Sequence, residues 1–205
     1  MSRKRVLCLH GYHGNASLLR SQMGGLTDEF SSRFEFVAVD APSIAAGDFG
    51  WWHGAFALWN EPFRGWERTR EWVINLFAEE DFDGVFGFSQ GAALTGLLVG
   101  MRASDGEPSE AAPLRFDFAM MAGGFVSNEP AHAPLYASAA GFRLPSVHMM
   151  GRADTIVPIG DSRQLADRFS APVIVEHAGG HVVPSETAVR KQVAEFLMQQ
   201  SYKNA

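Results

Sequence analysis

Short apolar runs alternate with longer segments of helical period along nearly the whole chain. Residues 5–10 (Arg-Val-Leu-Cys-Leu-His) hold four consecutive apolar positions between polar ends, which predicts a strand covered on both faces. Segment 15–31 then reads as a helix and 35–40 as a second strand. Segment 67–78 is helical in pattern, and 83–88 (Asp-Gly-Val-Phe-Gly-Phe) is a third strand. Residues 90–101 form a helix of small and apolar residues. Two strands are expected at 116–122 and 146–150, with a looser stretch between them. A helix at 159–169, a last strand at 173–177 and a last helix at 185–200 complete the pattern. Strands alternating with helices imply βαβ units, hence an α/β architecture with a mostly parallel central sheet and helices on both faces. Residues 105–113 (Asp-Gly-Glu-Pro-Ser-Glu-Ala-Ala-Pro) form a polar, proline-bearing surface loop within one unit. No repeat is present, so 1–205 is expected to be a single domain.

Composition narrows the function classes. The chain has 205 residues, 46% hydrophobic and 20% charged, enough for a sizeable core. Its net charge of −6 and the lack of a basic tract argue against a nucleic-acid partner. The apolar run at 6–9 is too short for a signal-peptide core. The uncharged stretch 84–101 is broken by Ser89, Gln90, Thr95 and several glycines, so it reads as strand, turn and helix and not as a membrane span. A soluble, cytoplasmic protein is expected. The one cysteine, Cys8, sits inside the first apolar run. It reads as a core residue, consistent with a reducing compartment.

One feature of composition is uneven. All five tryptophans lie between positions 51 and 72, interleaved with Phe49, Phe56 and Phe63. Trp72 falls in a helical pattern and reads as core. For the remainder of 49–66 two readings stand side by side: ordinary aromatic packing, or an aromatic-rich loop over an apolar pocket. On the second reading Trp51, Trp52, Phe56 and Trp59 line the substrate pocket, and 42–66 is the candidate lid.

The candidate chemistry centres on Gly87-Phe88-Ser89-Gln90-Gly91, a G-x-S-x-G pattern. The pattern alone is common; its position between an expected strand and an expected helix is what gives it meaning. A serine on a sharp strand-to-helix turn exposes its hydroxyl, and the helix N-terminus lies near the developing negative charge. A serine hydroxyl needs a base to remove its proton. Of the seven histidines, His148 and His177 fall inside expected strands and His132 precedes the strand that should deliver the acid. His181 follows the last strand and the pair Gly179-Gly180, so it is the expected base. Asp154, just past the strand at 146–150, is the expected acid; Asp161 and Asp167 fall on the next helix. The oxyanion donors are then the backbone N–H of Gln90 and, from the loop Leu9-His10-Gly11-Tyr12, that of Tyr12. No zinc motif, cysteine ligand set or dinucleotide fingerprint competes, and neither a metal nor another cofactor is expected.

The chain resembles the FSH family of serine hydrolases, a branch of the α/β-hydrolase fold with a short lid. The resemblance runs from Arg5 to about Leu197. It rests on Val6-Leu7-Cys8-Leu9-His10-Gly11-Tyr12, on residues 82–93 around Ser89, on residues 144–151 with Asp154 and Val157-Pro158 after them, and on Glu176-His177 followed by residues 179–184. It implies the same triad of Ser89, Asp154 and His181, and activity on acyl esters or thioesters as small-molecule substrates. The match weakens at 42–66 and 125–143, the segments that should wall the pocket. Two rivals remain: an amide or peptide hydrolase, and a hydrolase-fold binding protein without turnover.

Overall fold

Six strands pair entirely in parallel in the order β2-β1-β3-β4-β5-β6 in the computed structural model. They are β1 (Lys4–Leu9), β2 (Phe34–Val39), β3 (Gly84–Phe88), β4 (Phe118–Ala122), β5 (Ser146–Gly151) and β6 (Val173–His177). The helices are α1 (Ala16–Thr27), α2 (Trp66–Glu79), α3 (Gln90–Met101), α4 (Ile159–Ala166) and α5 (Thr187–Ser201). The structure describes residues 3–43, 50–54, 63–102, 114–137 and 141–201. Phe49, Phe56, Trp59, the loop at 105–113 and most of the lid candidate 42–66 lie outside them.

Two apolar layers sandwich the sheet. Residues of α1 and α5 (Leu19, Met23, Val193, Phe196) meet Val6, Cys8, Phe86 and Phe118 on one face. Residues of α2, α3 and α4 (Val73, Leu94, Leu97, Leu165) meet Leu7, Leu9, Val85 and Met121 on the other. The central strands β3 and β4 are buried at every position, as continuous apolar runs require. Because α3 lies between the sheet and a 3-10 helix at Pro130–Tyr136, it has no polar face: nearly every residue from Gln90 to Met101 is buried.

The strand and helix expectations hold with small shifts at the ends. Asn15 stands outside α1 as its cap, its side chain accepting the Leu18 N–H at 2.8 Å. The helix then stops at Thr27 and tightens to a 3-10 turn at Asp28–Phe30. The looser stretch before β5 contains the 3-10 helix, where Pro130 and Pro134 break any longer helical period. Among the described residues no helix is long and apolar enough to cross a membrane.

Since all strands point the same way, their carboxyl ends share one edge. Starting in β1, the chain steps out to β2 and returns to β3 on the other side of β1. Ligands in open α/β sheets bind at such a switch point, and the loops after β1 and β3 carry Tyr12 and Ser89.

Two core histidines give a stability prediction. Burial pulls His148 down to about 3 and His132 down to about 4, the latter against the opposing charge of Glu67. Both are therefore neutral when folded, whereas in the unfolded chain each binds a proton near pH 6.5. The unfolded state holds more protons between about pH 6.5 and 4, so stability is full above that window and falls as pH drops through it. The two groups together contribute a slope approaching about 2.7 kcal/mol per pH unit, and His10 and His177, also lowered by burial, add in the same direction. Urea unfolding at pH 7, 6 and 5 measures it. His148→Asn should shallow the slope by about 1.4 kcal/mol per pH unit, and equal stability at pH 7 and 5 would contradict the account.

Candidate active site

Ser89 sits between the last residue of β3 and the first of α3 with φ 55° and ψ −118°, a conformation that costs a non-glycine residue on the order of 1–3 kcal/mol. The surrounding contacts hold it there. Its N–H donates to the Ala122 carbonyl at 2.8 Å, and its carbonyl accepts from Ala92 and Ala93 at 2.9 and 3.0 Å. The two glycines of the motif allow the chain to fold back so closely. A Cβ on Gly87 would lie 2.2 Å from the Gly91 carbonyl oxygen, and one on Gly91 would lie 2.1 Å from that of Leu9.

His181 reaches this turn from the loop after β6. Its Nε2 is 2.8 Å from Ser89 Oγ and its Nδ1 is 2.7 Å from Asp154 Oδ2. A carboxylate can only accept, so the proton resides on Nδ1 and Nε2 accepts from the serine hydroxyl. Asp154 is itself held: its Oδ1 accepts the N–H groups of Ile156 and Val157, each at 2.9 Å. Its side chain is almost fully buried, while that of His181 keeps 17% of its surface in solvent. The Phe88 ring lies 4.9 Å from the imidazole. The structure thus brings together the three side chains that chain order singled out. His177 and His148 are instead buried within strands, and His132 is buried against Trp52, Phe63 and Trp66.

The loop after β1 is braced by a residue whose part the sequence did not reveal. His10 is buried, and its Nε2 accepts the Ala41 N–H at 3.1 Å. Nε2 therefore carries no proton, and Nδ1–H donates to the Gly11 carbonyl at 2.8 Å. Burial lowers the pKa of this imidazole, opposed by the Gly11 bond and the charge of Asp40. Gly14 N–H also donates to the Gly11 carbonyl at 2.9 Å, closing the loop on itself. Gln90 occupies the first position of α3, where a backbone N–H has no acceptor within the helix.

Trp51 and Trp52 are fully buried and belong to the core on the α2–α3 face. Neither has a surface that an open pocket could use in this structure; Phe56 and Trp59 are outside the described residues. Trp51 packs on Trp72 and His10, and its Nε1–H donates to the His10 carbonyl at 2.8 Å. The Gln90 side chain, also fully buried, takes the Trp51 N–H on Oε1 at 2.9 Å and donates from Nε2 to the Trp52 carbonyl at 2.7 Å. Sequence reasoning used only the backbone of Gln90. An amide at the second x of G-x-S-x-G, on an otherwise apolar helix, was the available signal.

Comparison with known proteins shows the family and the fold. The FSH1 serine hydrolase family model matches residues 1–193. An esterase of Aedes aegypti is 33% identical over 96% of this chain and 76% of its own length. Esterase OVCA2 of Xenopus tropicalis is 32% identical over 94% of this chain and 91% of its own. Among solved structures, acyl-protein thioesterase 2 of Zea mays matches with a TM-score of 0.65 at 19% identity, covering 98% of this chain and 95% of that one. Esterase PE8 matches with a TM-score of 0.67 at 20% identity, covering 97% and 93%. These structural likenesses establish the α/β-hydrolase fold.

Proposed function

The chain belongs to the FSH1 family of serine hydrolases, and from that premise we propose that it cleaves carboxylic esters and thioesters through an acyl-serine intermediate, with Ser89, His181 and Asp154 as its triad. The observation that carries this reading is the unbroken pair of hydrogen bonds from Ser89 Oγ through His181 to Asp154.

In the first half-reaction Ser89 Oγ attacks the acyl carbon and its proton passes to His181 Nε2. Negative charge moves to the carbonyl oxygen, which the N–H groups of Tyr12 and Gln90 stabilise. Asp154 stabilises the imidazolium that forms. As the tetrahedral adduct collapses, the bond to the leaving group breaks. An alkoxide takes the proton from His181 Nε2 as it leaves, while a thiolate departs with little help and takes up that proton once free, so in either case His181 is neutral again before the second half-reaction. Water then enters, gives a proton to His181 and attacks the acyl-serine. Its collapse releases the carboxylic acid and returns the proton to Ser89.

The test is a panel of p-nitrophenyl esters and acyl thioesters of rising chain length, run beside fluorophosphonate labelling. The expected result is turnover of both substrate classes, with one phosphonate per chain placed on the peptide containing Ser89. Labelling without turnover of either class, but with cleavage of anilides, would favour an amide hydrolase. Neither labelling nor turnover in the folded protein would leave a binding role.

A further inference from the structure

We propose that the Gln90 side chain is the positioning residue for both halves of the oxyanion hole: its own backbone N–H is one donor, and through residues 50–53 its side-chain amide holds the loop that carries the other. The proposal rests on the ester-hydrolase reading above and extends it to a residue whose side chain never touches the reacting atoms.

The side-chain amide bridges the backbone of Trp51 and Trp52 at a bend of the chain. Oε1 accepts the Trp51 N–H and Nε2 donates to the Trp52 carbonyl. Both capacities of the amide are used in one direction, on consecutive residues 39 and 38 positions away in sequence. Gln90, Trp51 and Trp52 are all fully buried, so water cannot replace either bond. The strap is fixed on its far side too, where Thr69 Oγ1 donates to the Trp51 carbonyl and Ser43 Oγ to that of Gly50.

What the strap holds in turn is the loop after β1. Trp51 Nε1–H donates to the His10 carbonyl, and the two rings lie 4.9 Å apart. Tyr12 OH is 3.1 Å from His53 Nδ1. The Tyr12 ring lies so close over Gly50 that a Cβ there would come within 2.5 Å of it. Three of the four consecutive strap residues, Gly50, Trp51 and His53, meet this loop, and Trp52 alone faces away from it, toward Trp66 and His132. The contacts converge on His10 and Tyr12, the residues on either side of the peptide units that must aim an N–H at the oxyanion. A donor displaced by about 1 Å forfeits on the order of 100-fold in rate.

Two variants separate positioning from general support. Gln90→Glu keeps the size and the acceptor but turns a carboxylate oxygen toward the Trp52 carbonyl. Trp51→Phe keeps an aromatic ring in the core, though a smaller one, and removes the bond to His10; its packing cost is read from the thermal unfolding. Each is measured for thermal unfolding, for kcat and KM on an oxygen ester, and for the rate ratio of that ester to its thionoester. The thionoester places a larger, weakly accepting sulfur where the oxyanion forms, so it gains little from a well-aimed hole. Both reactions need Ser89 and His181 equally, so the ratio isolates the hole. The expected outcome for Trp51→Phe is a folded protein with KM within about threefold of wild type, kcat lower by about 10- to 100-fold, and a ratio reduced by about as much. In Gln90→Glu the ratio should fall likewise and recover as pH is lowered, when the protonated acid again donates to the Trp52 carbonyl. A kcat loss shared equally by ester and thionoester, or no loss in folded Trp51→Phe, overturns the proposal. If Gln90→Glu does not fold, Trp51→Phe decides by the same ratio. Absence of both labelling and ester turnover in the folded wild-type protein would instead overturn the hydrolase reading itself.

Discussion

Replacing Ser89 by alanine is expected to lower kcat on a p-nitrophenyl ester by about a million-fold, to remove fluorophosphonate labelling, and to leave thermal unfolding nearly unchanged. The size of the loss follows from the pathway: without Oγ no acyl-enzyme forms, and only the oxyanion donors and substrate binding remain to help water. The small structural cost follows from the contacts. Among the described residues Oγ has one hydrogen-bond partner, His181 Nε2, and the imidazole is partly open to solvent, so water can take over the lost bond. The turn itself is held by the Ser89 backbone, through Ala122, Ala92 and Ala93, which alanine retains. Ser89→Gly adds a second measurement. It should be as inactive but more stable than Ser89→Ala by about 1 kcal/mol, because glycine adopts φ 55° without the penalty a Cβ incurs. Near wild-type hydrolysis by folded Ser89→Ala would move the nucleophile elsewhere, and equal stability of the two variants would show that the turn stores no strain.

The strands and helices were legible because their periods are local: 83–88 can only be a buried strand, and 90–101 is too long and too apolar to be a loop. With those two in place, the site followed from chain order, since a parallel sheet collects the ends of β3, β5 and β6 on one edge. The Pro130–Tyr136 helix had no such signal, for its two prolines disguise a helical turn as loop. The tryptophans failed to declare themselves for a different reason. An aromatic cluster has the same composition whether it lines a pocket or fills a core, and Trp51 is committed to the core by a bond to Gln90 across 39 residues. Nothing in the local sequence of either residue encodes that pairing. His10 is a milder case: the pair His10-Gly11 marks the turn after β1, but that its ring must be neutral, accepting from Ala41, is a tertiary fact.

Asp154→Asn is the most discriminating test of the acid, and the geometry dictates how it should fail. Oδ1 of Asp154 accepts two backbone N–H groups, from Ile156 and Val157, while Oδ2 faces His181 Nδ1. An asparagine in this place has to keep its oxygen at the Oδ1 position, because the opposite rotamer would set its NH₂ against two buried donors. The NH₂ group then points at His181 and donates to Nδ1. The imidazole must accept there, so its proton moves to Nε2 and faces Ser89 Oγ, where it can no longer act as a base. The expected loss in kcat is about 10,000-fold, with KM little changed and the fold intact, since size and both backbone bonds are preserved. Asp154→Ala supplies the contrast: it leaves two N–H groups unsatisfied and should cost more stability, yet the imidazole is then free to take either tautomer. Asparagine should therefore be at least as inactive as alanine while being the more stable of the two. Activity in Asp154→Asn within about tenfold of wild type would mean that another carboxylate orients His181, with Asp161 on the following helix the first to replace.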